Sequence, residues 1–410
     1  MPRKICVILA FLILFSGCSQ TESDKTVLQF WQFWTDPQVK PAVLKLIQKF
    51  EQENPGIKVT ATDLTWSNGH EKIVVAFASN SAPDVLELGS DWVPEFSSQN
   101  VLLNLSPAVD SIKNRFRMWE PGIFDGKIFA FPWMLDTRVL FYNKDLMSQA
   151  GLDPKHPPQI WNELLSYAKK INQPQKQIYG FGANAAERHR LYKKFLPFLW
   201  GNGGKILSED NTTCLINSKE AVDALNFYIE LTKFGLLDTQ RRLDEVFMQG
   251  KIGFVISGGW LLKEIQKNNL PLNFGVVLMP KPDKNRGAPA SFAGGEFLVI
   301  SQKTKHPQEA LKLVRFLTRL DNCLELCKAI GTPSPADTSA IYDDYYQNNP
   351  YLKIFQEQLK FSFSPPATPK WVYIEEKIER AIEEAMYGRK TPLQALNDAK
   401  VEIDKLLKSP

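Results

Sequence analysis

The chain has 410 residues, 44% of them hydrophobic and 23% charged, with 49 Lys and Arg against 45 Asp and Glu. That is a globular composition, long enough for two domains. A formal charge of +4, which falls to +2 once Arg3 and Lys4 leave with a leader, excludes nucleic acid and acidic polymers as expected partners.

Arg3 and Lys4 precede an apolar run, Ile5 to Phe15, that ends in Ser16, Gly17 and Cys18. This is a secretory signal pattern over residues 1–17. A run of about eleven residues is too short to cross a bilayer core of roughly 30 Å as a helix. Phe15-Ser16-Gly17-Cys18 resembles the lipobox of bacterial lipoproteins, with Phe15 where Leu is usual, and this implies a lipid on Cys18. The alternative is an ordinary cleaved signal. Residues 18–25 are polar and suit a tether. The expected location is therefore outside the cell membrane, in a periplasm or on the outer face, anchored at Cys18.

The folded body opens with a strand, Val27 to Phe33. Asp36-Pro37 then reads as a helix start, with Val39, Val43, Leu46, Ile47 and Phe50 on one face, and Ile57 to Leu64 as a second strand. This βαβ unit predicts a parallel pair. Asp84 to Leu88 and Ile128 to Phe131 extend the first lobe. A second α/β lobe begins with a strand at Val139 to Tyr142 and a helix at Trp161 to Ile171. Ser218 caps a helix that Gly235 is expected to close; Ile252 to Ile256, Phe274 to Leu278 and Phe297 to Ile300 are strands. A helix follows His306-Pro307, and two amphipathic helices end the chain.

No motif with catalytic or cofactor chemistry is present. Gly201-Asn202-Gly203-Gly204-Lys205 has Ile206 where a phosphate loop needs Ser or Thr, and no nucleophile elbow or His-Glu-x-x-His motif occurs. No cofactor and no metal are expected, since none of the four histidines stands at ligand spacing from Cys214, Cys323 or Cys327. Cys323 and Cys327 share a helical face and read as buried thiols, with a disulfide as the alternative. Two carboxylates could still meet in space as in a glycoside hydrolase, which keeps an enzyme open as the lesser reading.

The 10 Trp, 11 Tyr and 26 Phe are more than a core of this size needs. Several stand beside polar or glycine residues at strand ends: Trp34 with Asp36, Asp91 with Trp92, Trp133 before Asp136 and Arg138, Gly258-Gly259-Trp260, and Phe292-Ala293-Gly294-Gly295-Glu296. In open α/β sheets ligands gather at the carboxyl ends of strands. A sugar ring offers an apolar face and a fringe of hydroxyls, so aromatic platforms with carboxylates and a guanidinium suit it. Each residue also has a structural reading: Trp34 and Trp260 as the ends of a core, Asp36 as a cap, Asp91 as a turn residue, Asp136 and Arg138 as an ion pair.

The segment Gly126-Lys127-Ile128 through Pro132-Trp133 to Asp136-Thr137-Arg138-Val139-Leu140-Phe141-Tyr142-Asn143-Lys144-Asp145-Leu146, followed by Ala150-Gly151-Leu152 and Pro158 to Leu164, resembles the extracellular solute-binding proteins of carbohydrate ABC importers, the maltose-binding-protein-like family. The resemblance implies an α/β, periplasmic-binding-protein-like fold: two lobes, a hinge of three crossover segments and a ligand cleft between them. The lobes are expected at 26–135 plus 292–333 and at 136–291 plus 334–410. It further implies that Asp91, Asp136, Trp260, Gly294 and Gly295 line the sugar site, with Trp34, Trp92, Trp133, Arg138, Glu296 and Trp371 as extensions. The implied partners are a mono- or oligosaccharide, the membrane permease of an importer and, through Cys18, the membrane, for a monomer that is not an enzyme. A polyol, a glycerol phosphodiester or another small polar solute is the competing ligand, with Arg138 as anchor if it is anionic.

Overall fold

The computed structural model describes residues 25–37, 39–185, 187–331 and 334–409. The expected leader, Cys18 and all but the last residue of the tether lie outside them.

The strands follow in order as β1 (Thr26–Gln32), β2 (Ile57–Asp63), β3 (Val85–Gly89), a small hairpin of β4 (Ile123–Phe124) and β5 (Lys127–Ile128), then β6 (Ala130–Thr137), β7 (Val139–Asn143), β8 (Tyr179–Asn184), β9 (Gly235–Asp238), β10 (Ile252–Ser257), β11 (Phe274–Val277), β12 (Ser291–Ile300), β13 (Ser334–Pro335) and β14 (Ser362–Phe363). One sheet has the order β13-β6-β12-β3-β1-β2, with β14 beside β12; the other has the order β11-β7-β10-β8-β9. Each sheet is the centre of one lobe.

The opening βαβ unit is parallel, Thr26 facing Ile57 and Gln32 facing Asp63. In β1, Leu28, Phe30 and Gln32 point inward and alternate with Val27 and Gln29 on the outside, the period-two pattern of a half-buried strand. Its helix runs Lys40–Glu53 and buries Val43, Leu46, Ile47 and Phe50, as the periodicity predicts. The helix starts later than Asp36-Pro37 suggests; the proline in its first turn is Pro41. Helix Trp161–Ile171 buries Trp161, Leu164, Ala168 and Ile171 on one face. Ser218 does cap the next helix, accepting from the Ala221 amide at 3.3 Å. Gly235 does not close it. It opens β9 instead, where a Cβ would stand 2.7 Å from the Phe181 carbonyl of the paired strand.

The chain changes sheet with little slack. Between β6 and β7 only Arg138 intervenes. It returns at Ser291–Phe292, where Thr137 Oγ1 donates to the Phe292 carbonyl at 2.8 Å and Ser291 Oγ to the Arg138 carbonyl at 2.6 Å. It leaves again after β13, which pairs Ser334 with Leu135 and Pro335 with Met134. Asp136, Thr137, Ser334 and Pro335 therefore belong to the first sheet, where the sequence placed them in the second lobe. Cys214, Cys323 and Cys327 are free and buried thiols. No helix among the described residues is long and apolar enough to cross a membrane.

Candidate functional site

The first lobe presents the turn after β3. Gly89 is followed by Ser90, whose amide donates to the Gly295 carbonyl at 2.9 Å, and this places Asp91 and Trp92 at the carboxyl end of β3, a central strand. Trp92 is 2% exposed and packs among Phe33, Trp66 and His70, with ring centroids 5.2 to 5.8 Å away. Trp66 stacks on Phe33 at 4.2 Å.

The second lobe presents helix Tyr192–Gly201 and the start of helix Gly259–Lys267. At Gly258 a Cβ would meet the Trp260 ring at 2.0 Å, so the glycine is what lets the indole fold back over the helix start. Trp260 Nε1 donates to Asp244 Oδ2 at 2.7 Å, while Gln240 and Ser257 donate to Asp244 Oδ1 at 2.8 and 3.0 Å. Burial raises the Asp244 carboxyl above its ordinary range in spite of these donors. The Lys194 ammonium donates to the Ile256 carbonyl at 3.1 Å; burial, and then the neighbouring Arg138, push its pKa well down.

The two walls meet. Asp91 Oδ2 accepts from the Tyr192 hydroxyl at 2.6 Å and pairs with the Lys193 ammonium at 3.1 Å. Burial opposes ionisation of Asp91, but Lys193 and Tyr192 together hold its pKa below the usual value. For Tyr192 the same burial, and then the Asp91 charge, push the phenol well up. Trp92 lies 6.1 Å from His189, and on the rim Arg188 reaches Glu71 at 3.2 Å. His189 Nδ1 pairs with Glu375, and the His189 amide donates to Glu379 at 3.2 Å. Burial and then Asp91 raise Glu375 to about 8; burial and then Glu375 raise Glu379 to about 7.

At the cleft floor Asp136 is ion-paired with Arg138. The guanidinium lies 4.5 Å from the Trp260 ring centroid and 5.5 Å from that of Phe292, a cation between two aromatic faces. Glu296 is held up at about 8 by burial and then by Asp136. Asp136 Oδ1, Arg138 Nε, Glu296 Oε2, Trp92 Nε1 and Trp34 Nε1 are buried with no hydrogen-bond partner. A buried polar atom left unpaired costs about 1–3 kcal/mol.

Asp91, Trp92, Asp136, Arg138, Trp260 and Glu296 are thus gathered where the lobes meet. Gly294 pairs with Asp136 and Gly295 with Leu135. A Cβ on Gly295 would lie 2.1 Å from the Met134 carbonyl, which makes it a close-packing residue of the sheet. One expectation is corrected. Trp133 is 1% exposed in the first-lobe core, its Nε1 donating to the Leu317 carbonyl at 3.0 Å, where a register shift opposite Glu296 and Phe297 leaves it as the extra residue of β6. Trp371 is 1% exposed and edge-on to Tyr192 at 5.4 Å, and its Nε1, like that of Trp92, is buried with no hydrogen-bond partner. Trp34 is half-buried against the first-lobe core.

Tyr192, Lys193, Asp244, Trp66 and Glu375 were missed. One signal was present: Lys193-Lys194 stands directly before the apolar run Phe195 to Trp200, and a lysine on a buried helix face needs a partner. Among the described residues no group of three or more His, Cys, Asp or Glu could hold a metal ion.

The profile of the bacterial extracellular solute-binding proteins matches residues 36–322. A putative binding protein of Brucella abortus is 27% identical over 409 residues, covering 98% of this chain and 97% of its own length. The sn-glycerol-3-phosphate-binding periplasmic protein of Escherichia coli is 26% identical, with 93% of each chain covered. An ABC transporter solute-binding protein from Thermotoga lettingae, solved with α-D-tagatose bound, superimposes with a TM-score of 0.85 at 26% identity, covering 93% of this chain and 100% of that one.

Proposed function

This chain belongs to the bacterial extracellular solute-binding proteins, and from that premise we propose that it captures a mono- or oligosaccharide between its lobes and delivers it to the membrane permease of an ABC importer. The observation that carries the sugar reading is the cleft floor: Trp260 and Phe292 flank the Arg138–Asp136 pair, and unpartnered acceptors and donors stand beside them. Apolar ring faces and paired hydroxyls need that mixture. The tagatose-bound relative supports it.

Capture is a population shift. A solute that touches both lobes does so only when they are closed, so its binding energy favours the closed form. Asp91 with Lys193, and Glu71 with Arg188, are contacts between the chain's own lobes that add to it. The chain acts as a binder and not as an enzyme, as a monomer, exported and held at the membrane by a lipid on Cys18 with residues 18–25 as tether.

A second reading is favoured by two cations at the cleft, Arg138 and Lys193: an anionic solute such as a glycerol phosphate ester, as the name of the Escherichia coli relative indicates for that protein. A thermal-shift screen of mono-, di- and trisaccharides, polyols and phosphate esters separates the two. Stabilisation by neutral sugars supports the first reading. Stabilisation by phosphate esters alone would overturn it, and release of product from a bound oligosaccharide would show an enzyme.

A further inference from the structure

The strand register gathers three carboxyl groups on one face of three neighbouring strands. In β12, Glu296 faces Gly89 of β3 on one side and Met134 of β6 on the other. Glu87 and Asp136 each lie two residues along those strands, on the same face and diagonal to Glu296, within reach of it. Asp136 is paired with Arg138, and Lys193 is paired with Asp91. Glu296 and Glu87 have no ion-pair partner among the described residues.

Glu87 is a second acid with no counter-ion among the described residues. It is 0% exposed; Oε2 accepts from the Phe33 amide at 2.8 Å, and Oε1 has no partner. After burial, Glu296 is what raises its pKa most. Oε2 of Glu296 and Oδ1 of Asp136 are likewise buried and unpartnered. Even with the buried Lys194 counted beside Arg138 and Lys193, the carboxyl groups at and just beneath the cleft floor, Asp91, Asp136, Glu87 and Glu296, outnumber the basic groups four to three, with unused oxygens on Glu87, Asp136 and Glu296. These groups form no metal cluster. The deficit suits a more diffuse cation, an organic ammonium that donates up to three hydrogen bonds to separated acceptors.

We propose that the solute is an amine-bearing sugar, its ammonium seated against Glu296 and Asp136. This rests on the reading of the cleft as a sugar site and narrows it. Neutral sugars fit the aromatic faces but leave the acid surplus unanswered, so closure over them requires a proton on Glu296. An ammonium supplies the charge instead. The groups that act on Glu296 are Asp136, Arg138, Lys193, Glu87 and Cys327, from the strands, the crossover and the two helices packed around it.

The test is isothermal titration calorimetry of the full protein at about pH 6.5, between the ordinary carboxylate range and the raised value of Glu296. The probes are glucosamine with its dimer and trimer, the N-acetylated form of each, and the corresponding glucose series. The expected result is at least tenfold tighter binding of the amines than of both neutral series, with that preference falling towards one in Glu296→Gln. Repeating the wild-type titrations in two buffers of different ionisation enthalpy counts protons without any variant: close to one proton taken up with a neutral sugar, close to none with an amine. Neutral sugars bound as tightly as amines, or equal proton counts, would overturn the amine proposal and leave the sugar reading standing. No response to any of these sugars, with phosphate esters added to the same titrations and binding, would overturn both.

Discussion

Asp91 in the first lobe and Lys193 in the second are 3.1 Å apart, an ion pair buried on its Asp91 side that exists only while the lobes touch. Removing one partner of such a pair costs about 3–5 kcal/mol, because the other is left buried and uncompensated. Lys193→Met is therefore expected to shift the protein towards the open form and to weaken solute binding at least tenfold. Small-angle scattering with and without ligand checks the first effect and calorimetry the second. A variant as compact as wild type, with unchanged affinity, would show that the pair is not a closure contact.

Two tryptophans that look alike in sequence should separate sharply. Trp133→Ala empties a core site and strands the Leu317 carbonyl, for an expected loss of about 3–5 kcal/mol in urea denaturation. Trp260→Ala, at a half-buried helix start, should cost much less stability while lowering affinity tenfold or more.

Neighbouring glycines should also divide. Gly295→Ala forces a Cβ onto the Met134 carbonyl, which the sheet cannot move aside, and about 1–3 kcal/mol of stability is expected to be lost. At Gly294 the obstacle is the Phe292 ring at 2.6 Å, which can rotate. Gly294→Ala should therefore appear mainly in ligand affinity, because Phe292 is one wall of the Arg138 sandwich.

Stability should depend on pH through Glu375, 1% exposed on helix Trp371–Met386. Its carboxyl titrates near 4.5 when unfolded and at about 8 when folded. Between those values the native state keeps a proton that the unfolded state has released. The contribution is therefore fully favourable below the unfolded value and is lost as pH rises towards about 8, with a slope on the order of 1 kcal/mol per pH unit. His189 acts in the opposite sense, since burial and then Arg188 lower its pKa and favour folding as pH rises. Denaturation midpoints from about pH 5 to 9 for wild type and Glu375→Gln isolate the carboxyl. A wild type that falls no faster than the variant would contradict the assignment.

Much of the fold was legible because its elements obey local rules. Leu28 and Phe30 alternate, Trp161, Leu164, Ala168 and Ile171 repeat at helical spacing, and Ser218 caps where it should. Where these side chains stand in the sheets could be read as well, since Asp91 and Trp260 come two and three residues after β3 and β10 end and Asp136 is the penultimate residue of β6. Contacts made by closing one lobe on the other could not be read. Nothing near Lys193 in sequence points to Asp91, 102 positions away, and the register shift that breaks the alternation of β6 at Trp133 is visible only in its pairing with β12. Gly235 misled because a glycine after a helix ends it as readily as it admits a neighbouring strand.

The single-residue step at Arg138 joins two roles that an engineer would prefer to keep apart. On the proposed closure of the lobes, the one residue between β6 and β7 is a point of bending, and it is also the one whose guanidinium lies 4.5 Å from the Trp260 ring and 5.5 Å from that of Phe292. Any replacement chosen to retune selectivity also changes the stiffness of the joint, so a reporter built on this scaffold could not have its range and its specificity adjusted independently at that position.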